Sequence, residues 1–337
     1  MGERISKRKE YQGFYKDNEG EAHIVDMVSE TYRPEINMAD FVSQAPPMRI
    51  TPSRAKRLPR PDVVTRYISI PDAQIGFRDT NEGFITLHDE QALQVARLAI
   101  KALQGDVLVL QGDTIDLPEL TRFDPDSNHF TPKTLQMGIN RTAQWKSELR
   151  ADNPNADMHE LEGNHEVRLG RFVLKHAMML HGITRADSNI PVLSYPYLTR
   201  NDDSKVEYHD GYPASEYVAE DDLLFIHGKE VASNGSTAKK YSDKYPDTNV
   251  VFGHVHRHET HTRTSRRGIP YTSATFGTLA SINGAVPSYG SGVRQNGRPA
   301  HTVENWQQGF GVIDKYKNGY SFRFIPILGG LALYEKH

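Results

Sequence analysis

From Val63 onward, short aliphatic or β-branched runs alternate with amphipathic segments, a pattern that predicts strands interleaved with helices. VVTRYISI (63–70) reads as a strand, His88–Leu103 as a helix and DVLVLQGD (106–113) as the next strand. A second helix is expected in Thr131–Leu149, then a strand at Asp157–Leu161. Glu166–Leu180 reads as a third helix, with Leu169, Phe172, Val173 and Met178–Leu180 turned inward. Strands follow at Leu223–Ile226 and Val250–Phe252. Beyond about His261 the pattern becomes antiparallel: HTRTSRRGIPYTSATFG, GFGVIDKY and GYSFRFIPI read as strands, with turns at Gly268-Ile269-Pro270 and Lys317-Asn318-Gly319. The expectation is an α/β domain over residues 63–337.

Residues 1–62 are polar, with one aromatic cluster (Tyr11, Phe14, Tyr15), and read as an extension plus linker. They close with PPMRITPSRAKRLPRP, five basic residues and no acid, which suits either a solvated tether or an arm for phosphate backbones. Ser281–Pro299, rich in Gly, Ser and Pro, reads as a surface loop.

Composition narrows the chemistry. The 337 residues are 25% charged and 37% hydrophobic, enough for a sizeable core, which argues against a fibrous or wholly disordered chain. Lys plus Arg (40) nearly balances Asp plus Glu (43), so any polyanion contact needs a local patch rather than an overall basic field. With no cysteine, disulfides, thiolate metal sites and a cysteine nucleophile are excluded. The N-terminus lacks an apolar signal core and no run approaches the roughly eighteen apolar residues of a membrane span, so a cytoplasmic protein with no membrane partner is expected.

In an α/β sheet, ligands gather at the loops leaving the carboxyl ends of strands. Five such exits are rich in metal-ligand types: Pro71-Asp72-Ala73-Gln74, Gly112-Asp113-Thr114-Ile115-Asp116, Gly163-Asn164-His165-Glu166, Ile226-His227-Gly228 and Gly253-His254-Val255-His256. Glycine lets the backbone turn sharply at the exit, and Asp, Asn and His suit divalent first-row cations. In an extended strand end, His254 and His256 point to one face. Each motif alone has an ordinary explanation: a turn or cap residue for Asp72, a helix cap for Asn164, a core histidine for His227. Their ordered recurrence after five strands is what points to a metal site.

On these motifs the sequence resembles the calcineurin-like metallophosphoesterase superfamily, whose pattern is DxH, GDxxD, GNHE or GNHD, a lone His, and GHxH. The resemblance spans about Val63 to Phe324, and four of the five motifs match in full. It implies a four-layer αββα sandwich of two mixed sheets, with two divalent cations at the strand ends. Manganese is the first expectation for these ions; magnesium, iron, nickel, cobalt and zinc are alternatives. The resemblance assigns Asp72, Gln74, Asp113 and His256 to one ion, and Asp113, Asn164, His227 and His254 to the other. His165 matches the histidine beside the leaving-group oxygen and Asp116 the carboxylate that orients it. Two departures stand out: Gln74 replaces the usual histidine, a weaker donor to zinc or iron, and Leu117 follows GDxxD where many phosphatases carry Arg or Asn. Arg168 is the candidate to take over that phosphate contact.

The implied activity is phosphoester hydrolysis by water activated between two cations. A phosphodiesterase acting on nucleic acid or nucleotides is the preferred expectation, drawn from the basic linker and the arginines at 263, 266 and 267. Phe123, Phe130, Tyr195 and Tyr197 are candidates for base stacking or for core packing. The alternatives are a phosphomonoesterase or protein phosphatase, and a non-catalytic binding module with a weakened metal site. His258 and His261 read as strand residues outside the site, and the sequence offers no partner for His88 or His129.

Overall fold

The computed structural model describes residues 3–16, 22–34, 60, 62–121, 129–282 and 305–333. The chain divides into two compact units, Met1–Ser43 and Gln44–His337. In the first, β1 (Glu3–Lys16) and β2 (Ala22–Pro34) pair antiparallel, Lys16 opposite Ala22 and Glu3 opposite Pro34. The segment read as a polar extension thus contains two strands. Charged residues fall at both parities along them, so no apolar face of period two marks them in the sequence. Of the basic stretch 46–61 only Arg60 is described, and its Nη2 donates to both carboxylate oxygens of Asp106 at 2.9 and 2.8 Å.

In the second unit the order is β3 (Val63–Ile70), β4 (Phe77–Thr80), β5 (Gly83–Thr86), α1 (Glu90–Leu103), β6 (Val107–Leu110), α2 (Pro132–Asp152), β7 (Asp157–Leu161), α3 (Val167–His176) and α4 (Tyr195–Leu198). Then come β8 (Val206–His209), β9 (Glu216–Glu220), β10 (Leu223–Ile226), α5 (Thr237–Lys244), β11 (Asn249–Phe252), β12 (His258–Thr264), β13 (Pro270–Phe276), β14 (Gly309–Tyr316), β15 (Gly319–Leu328) and β16 (Leu331–Ala332). One sheet has the order β16-β15-β14-β3-β6-β7-β8, with β3, β6, β7 and β8 parallel. Another has the order β12-β13-β11-β10-β9, with β13, β11 and β10 parallel. The fold is α/β with mixed sheets.

Local sequence explains the helices. In α1, Ala92, Leu93, Ala96, Ala99, Ile100 and Leu103 form one buried stripe, and the Asp89 carboxylate accepts from the Ala92 N–H at 3.0 Å to cap the start. Thr131 and Thr134 cap α2 reciprocally, and Pro132 occupies its first turn, where no N–H is needed. These stripes pack Ala96, Ile100, Trp145 and Leu149 onto Ile68, Leu108 and Met158 of the larger sheet. That sheet's other face, through Tyr67, Val109 and Leu161, shares a buried cluster with Phe225, Val251 and Phe276 of the smaller one. Ala238 and Tyr241 of α5 cover Leu224 and Val250 on the smaller sheet's far side.

The third helix is shorter than expected. It ends at His176, and Met178–Leu180 form a separate turn whose side chains are exposed, Met179 by 83%. Within α3 only Val173 is buried, and Phe172 is exposed. The apolar run continues past the point where Ala177 leaves helical geometry (φ −145°), so it no longer presents a helical face to the core. The Gly/Ser/Pro-rich stretch lies outside the described residues beyond Ile282. No described helix is long and apolar enough to cross a membrane.

Candidate metal centre

The five exits leave β3, β6, β7, β10 and β11, and they meet at one edge of the sheets. The loops after β3 and β6 are stitched together: Gln74 N–H donates to the Asp113 carbonyl and Ile75 N–H to that of Thr114, both at 2.9 Å. Glu166 reaches back from the loop after β7, and its carboxylate accepts N–H bonds from Asp113, Thr114 and Gly163 at 2.7–2.9 Å, with a longer one from Ile115. A Cβ at Gly163 would lie 2.2 Å from Asp113 Oδ1, so only glycine allows this approach. His254 N–H donates to both oxygens of Asp72 at 3.0 and 3.1 Å, tying the last loop to the first.

Backbone strain concentrates here. Gln74, Asp113, His254 and His256 all have positive φ (46°, 49°, 73° and 57°), four of the nine such non-glycine residues among those described. Left-handed backbone costs of order 1–3 kcal/mol per residue and persists where surrounding structure demands it. The expectation that an extended strand end aligns His254 and His256 is therefore corrected: β11 ends at Phe252, and each histidine is turned inward by its own left-handed bend.

The two histidines serve different groups. His254 joins Asp113 and His227, with ligand atoms all within 4.8 Å of one another, and Asn164 Oδ1 lies 3.2 Å from His227 Nε2. His256 Nε2 lies 3.2 Å from Asp72 Oδ1 and 3.2 Å from Gln74 Nε2. All seven residues assigned by the resemblance thus lie at this edge.

The donors suit cations. His227 Nδ1 lies 2.7 Å from the Gln111 carbonyl, so it carries the proton, and Nε2 faces Asn164 Oδ1 and, at 3.5 Å, Asp113 Oδ2. Only positive charge, a proton or a metal ion, reconciles those atoms. Beside Asp72, Gln74 Oε1 and His256 Nδ1 are buried with no hydrogen-bond partner. Turning the amide over aims Oε1 at His256 and Asp72, the direction a cation requires. Mixed carboxylate, amide and imidazole donors favour manganese-like ions over strictly soft ones.

Charge coupling follows the geometry. Burial alone would raise the Asp113 carboxyl, but His165 and His227 hold it well below the usual range. Burial would lower His227, yet the Asp113 charge pushes it up to about 10. Burial, reinforced by His227, takes His254 down to about 4, leaving it neutral and ready to ligate at pH 7. Burial and the charges of Asp113 and Glu160 raise Glu166 to about 8, against the N–H donors around it.

His165 stands beside these groups. Its Nδ1 is 2.9 Å from Asp116 Oδ1 and its Nε2 3.6 Å from Asp113 Oδ2. Burial would lower its pKa, but Asp113 and the Asp116 bond raise it. An open cleft of about 640 Å³ adjoins, lined by Asn164, His254, Glu119, Tyr212 and, from one face of α3, Arg168, Arg171 and Lys175. Arg168 Nη1 donates to the Asp116 carbonyl at 2.7 Å, which keeps the guanidinium at the cleft wall.

Other expectations change. Tyr195 is buried with its hydroxyl on Glu160 at 2.6 Å, a core residue rather than a stacking platform. Phe130 lies under the Arg78 guanidinium, Tyr197 is half-buried and Phe123 lies outside the described residues. The turn bearing Arg266 and Arg267 precedes β13, whose opposite end faces the metal loops, so these arginines stand at the far end of the sheet. His88 is buried between the Gly76 carbonyl and Glu90, and His129 Nδ1 meets the Asp79 carbonyl at 2.7 Å. Arg168 was singled out in the sequence, but Arg171 and Lys175, which share its face of α3, and the Glu166 clasp went unrecognised. The spacing 168, 171, 175 is the signal that would have exposed the former.

Neither a protein-family model nor a curated protein matches the chain.

Proposed function

We propose that this chain is a metal-dependent phosphoesterase of the calcineurin-like metallophosphoesterase kind, a four-layer αββα sandwich acting on phosphodiesters of nucleic acid or nucleotides. The observation that carries the reading is convergence: seven donor residues from five strand exits meet beside a cleft lined by three cationic side chains. Asp72, Gln74, Asp113 and His256 would hold one divalent cation, and Asp113, Asn164, His227 and His254 the other. Bound there, the pair would lower the pKa of water and draw phosphoryl oxygens toward positive charge.

The chain's own residues do the rest. Asp113, assigned to both ions, would offset part of their mutual repulsion. The Asp116 contact would hold one His165 proton on Nδ1, so that the proton on Nε2 of the imidazolium would pass to the leaving oxygen. Arg168, Arg171 and Lys175 would hold the anionic substrate along α3, a role the sequence reading gave to the arginines at 263, 266 and 267.

The decisive experiment is hydrolysis of bis-p-nitrophenyl phosphate and p-nitrophenyl phosphate by metal-stripped protein, with Mn²⁺, Mg²⁺, Ni²⁺ and Zn²⁺ restored one at a time. Metal-dependent release that is faster from the diester is expected. Preference for the monoester would replace the diesterase reading with a phosphatase, and no release with any ion would overturn both.

A further inference from the structure

A separate cluster lies across β7 and β8, the last two strands of the larger sheet. Pairing of β7 with β8 sets His159 beside Glu207 and Leu161 beside His209. Since side chains alternate along a strand, His159, Glu207 and His209 share one face. His159 Nδ1 lies 3.1 Å from His209 Nε2 and 3.5 Å from Glu207 Oε2, and the three ligand atoms fall within 4.8 Å of one another. A tetrahedral zinc ion with bonds of about 2.0–2.1 Å spaces its ligand atoms about 3.3 Å apart, a value the two distances bracket.

The surroundings suit a bound ion. The Tyr217 ring of β9 stacks on His159 at 3.8 Å and holds its plane. His159 is buried while the Glu207 side chain is 68% exposed, so the site opens to solvent on one side. Burial keeps both imidazoles below their ordinary pKa, neutral and able to ligate at pH 7.

We propose that His159 Nδ1, His209 Nε2 and Glu207 bind one borderline divalent cation, best zinc, with water in the remaining position. The ion clips β8, a four-residue edge strand, onto β7 and is independent of the phosphoesterase reading. A hydrogen-bonded histidine pair is the competing account: it needs one shared N–H and no carboxylate.

Zinc content per chain, measured after equilibrium dialysis at fixed free zinc, separates them. Wild type is expected to hold one zinc more than His209→Gln or Glu207→Gln, while Asp113→Asn, altered only at the other centre, keeps that ion. Cobalt-loaded Asp113→Asn should show the strong visible absorption of tetrahedral coordination, and adding His209→Gln should abolish it. Because Glu207 is exposed, Glu207→Gln decides the matter should His209→Gln fail to fold. Equal zinc in wild type and Glu207→Gln would overturn the site.

Discussion

Histidine and carboxylate pairs set the chemistry at the residue scale. His165→Ala removes the proposed proton donor without removing an assigned ligand, so we expect metal content to be retained and turnover to fall about 10²–10⁴-fold. Joint loss of metal and activity, read by metal analysis beside the diester assay, would make His165 a ligand instead. Glu166→Gln replaces a carboxyl oxygen that accepts backbone N–H bonds with an NH₂ that cannot accept them. It should cost about 1–3 kcal/mol in denaturant unfolding and weaken metal binding through the displaced Asp113 loop. Glu119 tests the cleft's electrostatics: burial, reinforced by Asp116, raises its carboxyl to about 7 despite a 2.6 Å bond from the Thr134 hydroxyl. The folded state therefore binds this proton more tightly than the unfolded one, whose pKa is near 4.5. The stabilisation is complete below about pH 4.5 and is lost as pH rises through about 7. Glu119→Gln should flatten that slope, gaining of order 2 kcal/mol on wild type between pH 5 and 8 in urea unfolding, a shift reduced by the group's partial exposure.

At the scale of elements, the proposed hold on substrate rests on α3. Arg168, Arg171 and Lys175 lie three and four residues apart, so one helical face points all three into the cleft. Reversing Arg171 and Lys175 to glutamate should raise KM for an oligonucleotide about tenfold or more and make it less salt-sensitive, leaving kcat for a small diester nearly unchanged. Equal effects on both substrates would mean that the helix supports the fold rather than the ligand. The element also shows where pattern reading fails. Leu169, Phe172, Val173 and Met178–Leu180 look like one inward stripe in sequence, but a periodicity count does not register that the helix stops at His176. The hairpin β1–β2 was missed for the converse reason: its pairing uses backbone groups that every residue carries.

For the whole molecule, parallel strands from two sheets bring their carboxyl ends to a common edge, and helices and the shared interior hold that edge rigid. Trp145, fully buried under the larger sheet, should cost about 3–5 kcal/mol on replacement by alanine, visible as a large drop in Tm with the metal ligands unchanged. Sequence alone marked the alternation of strands and helices, the five exit loops and the seven donor residues that meet at the candidate metal centre. It did so because strand period, glycine punctuation and ligand types are local properties of the chain. Tertiary structure alone decided which donors face one another, the left-handed turns at His254 and His256, the clasp of Glu166 and the cleft along α3. It also carried Arg266 and Arg267 to the far end of the sheet and brought His159, Glu207 and His209 together. Each of these depends on contacts between residues distant in sequence, whose free energies no local pattern records.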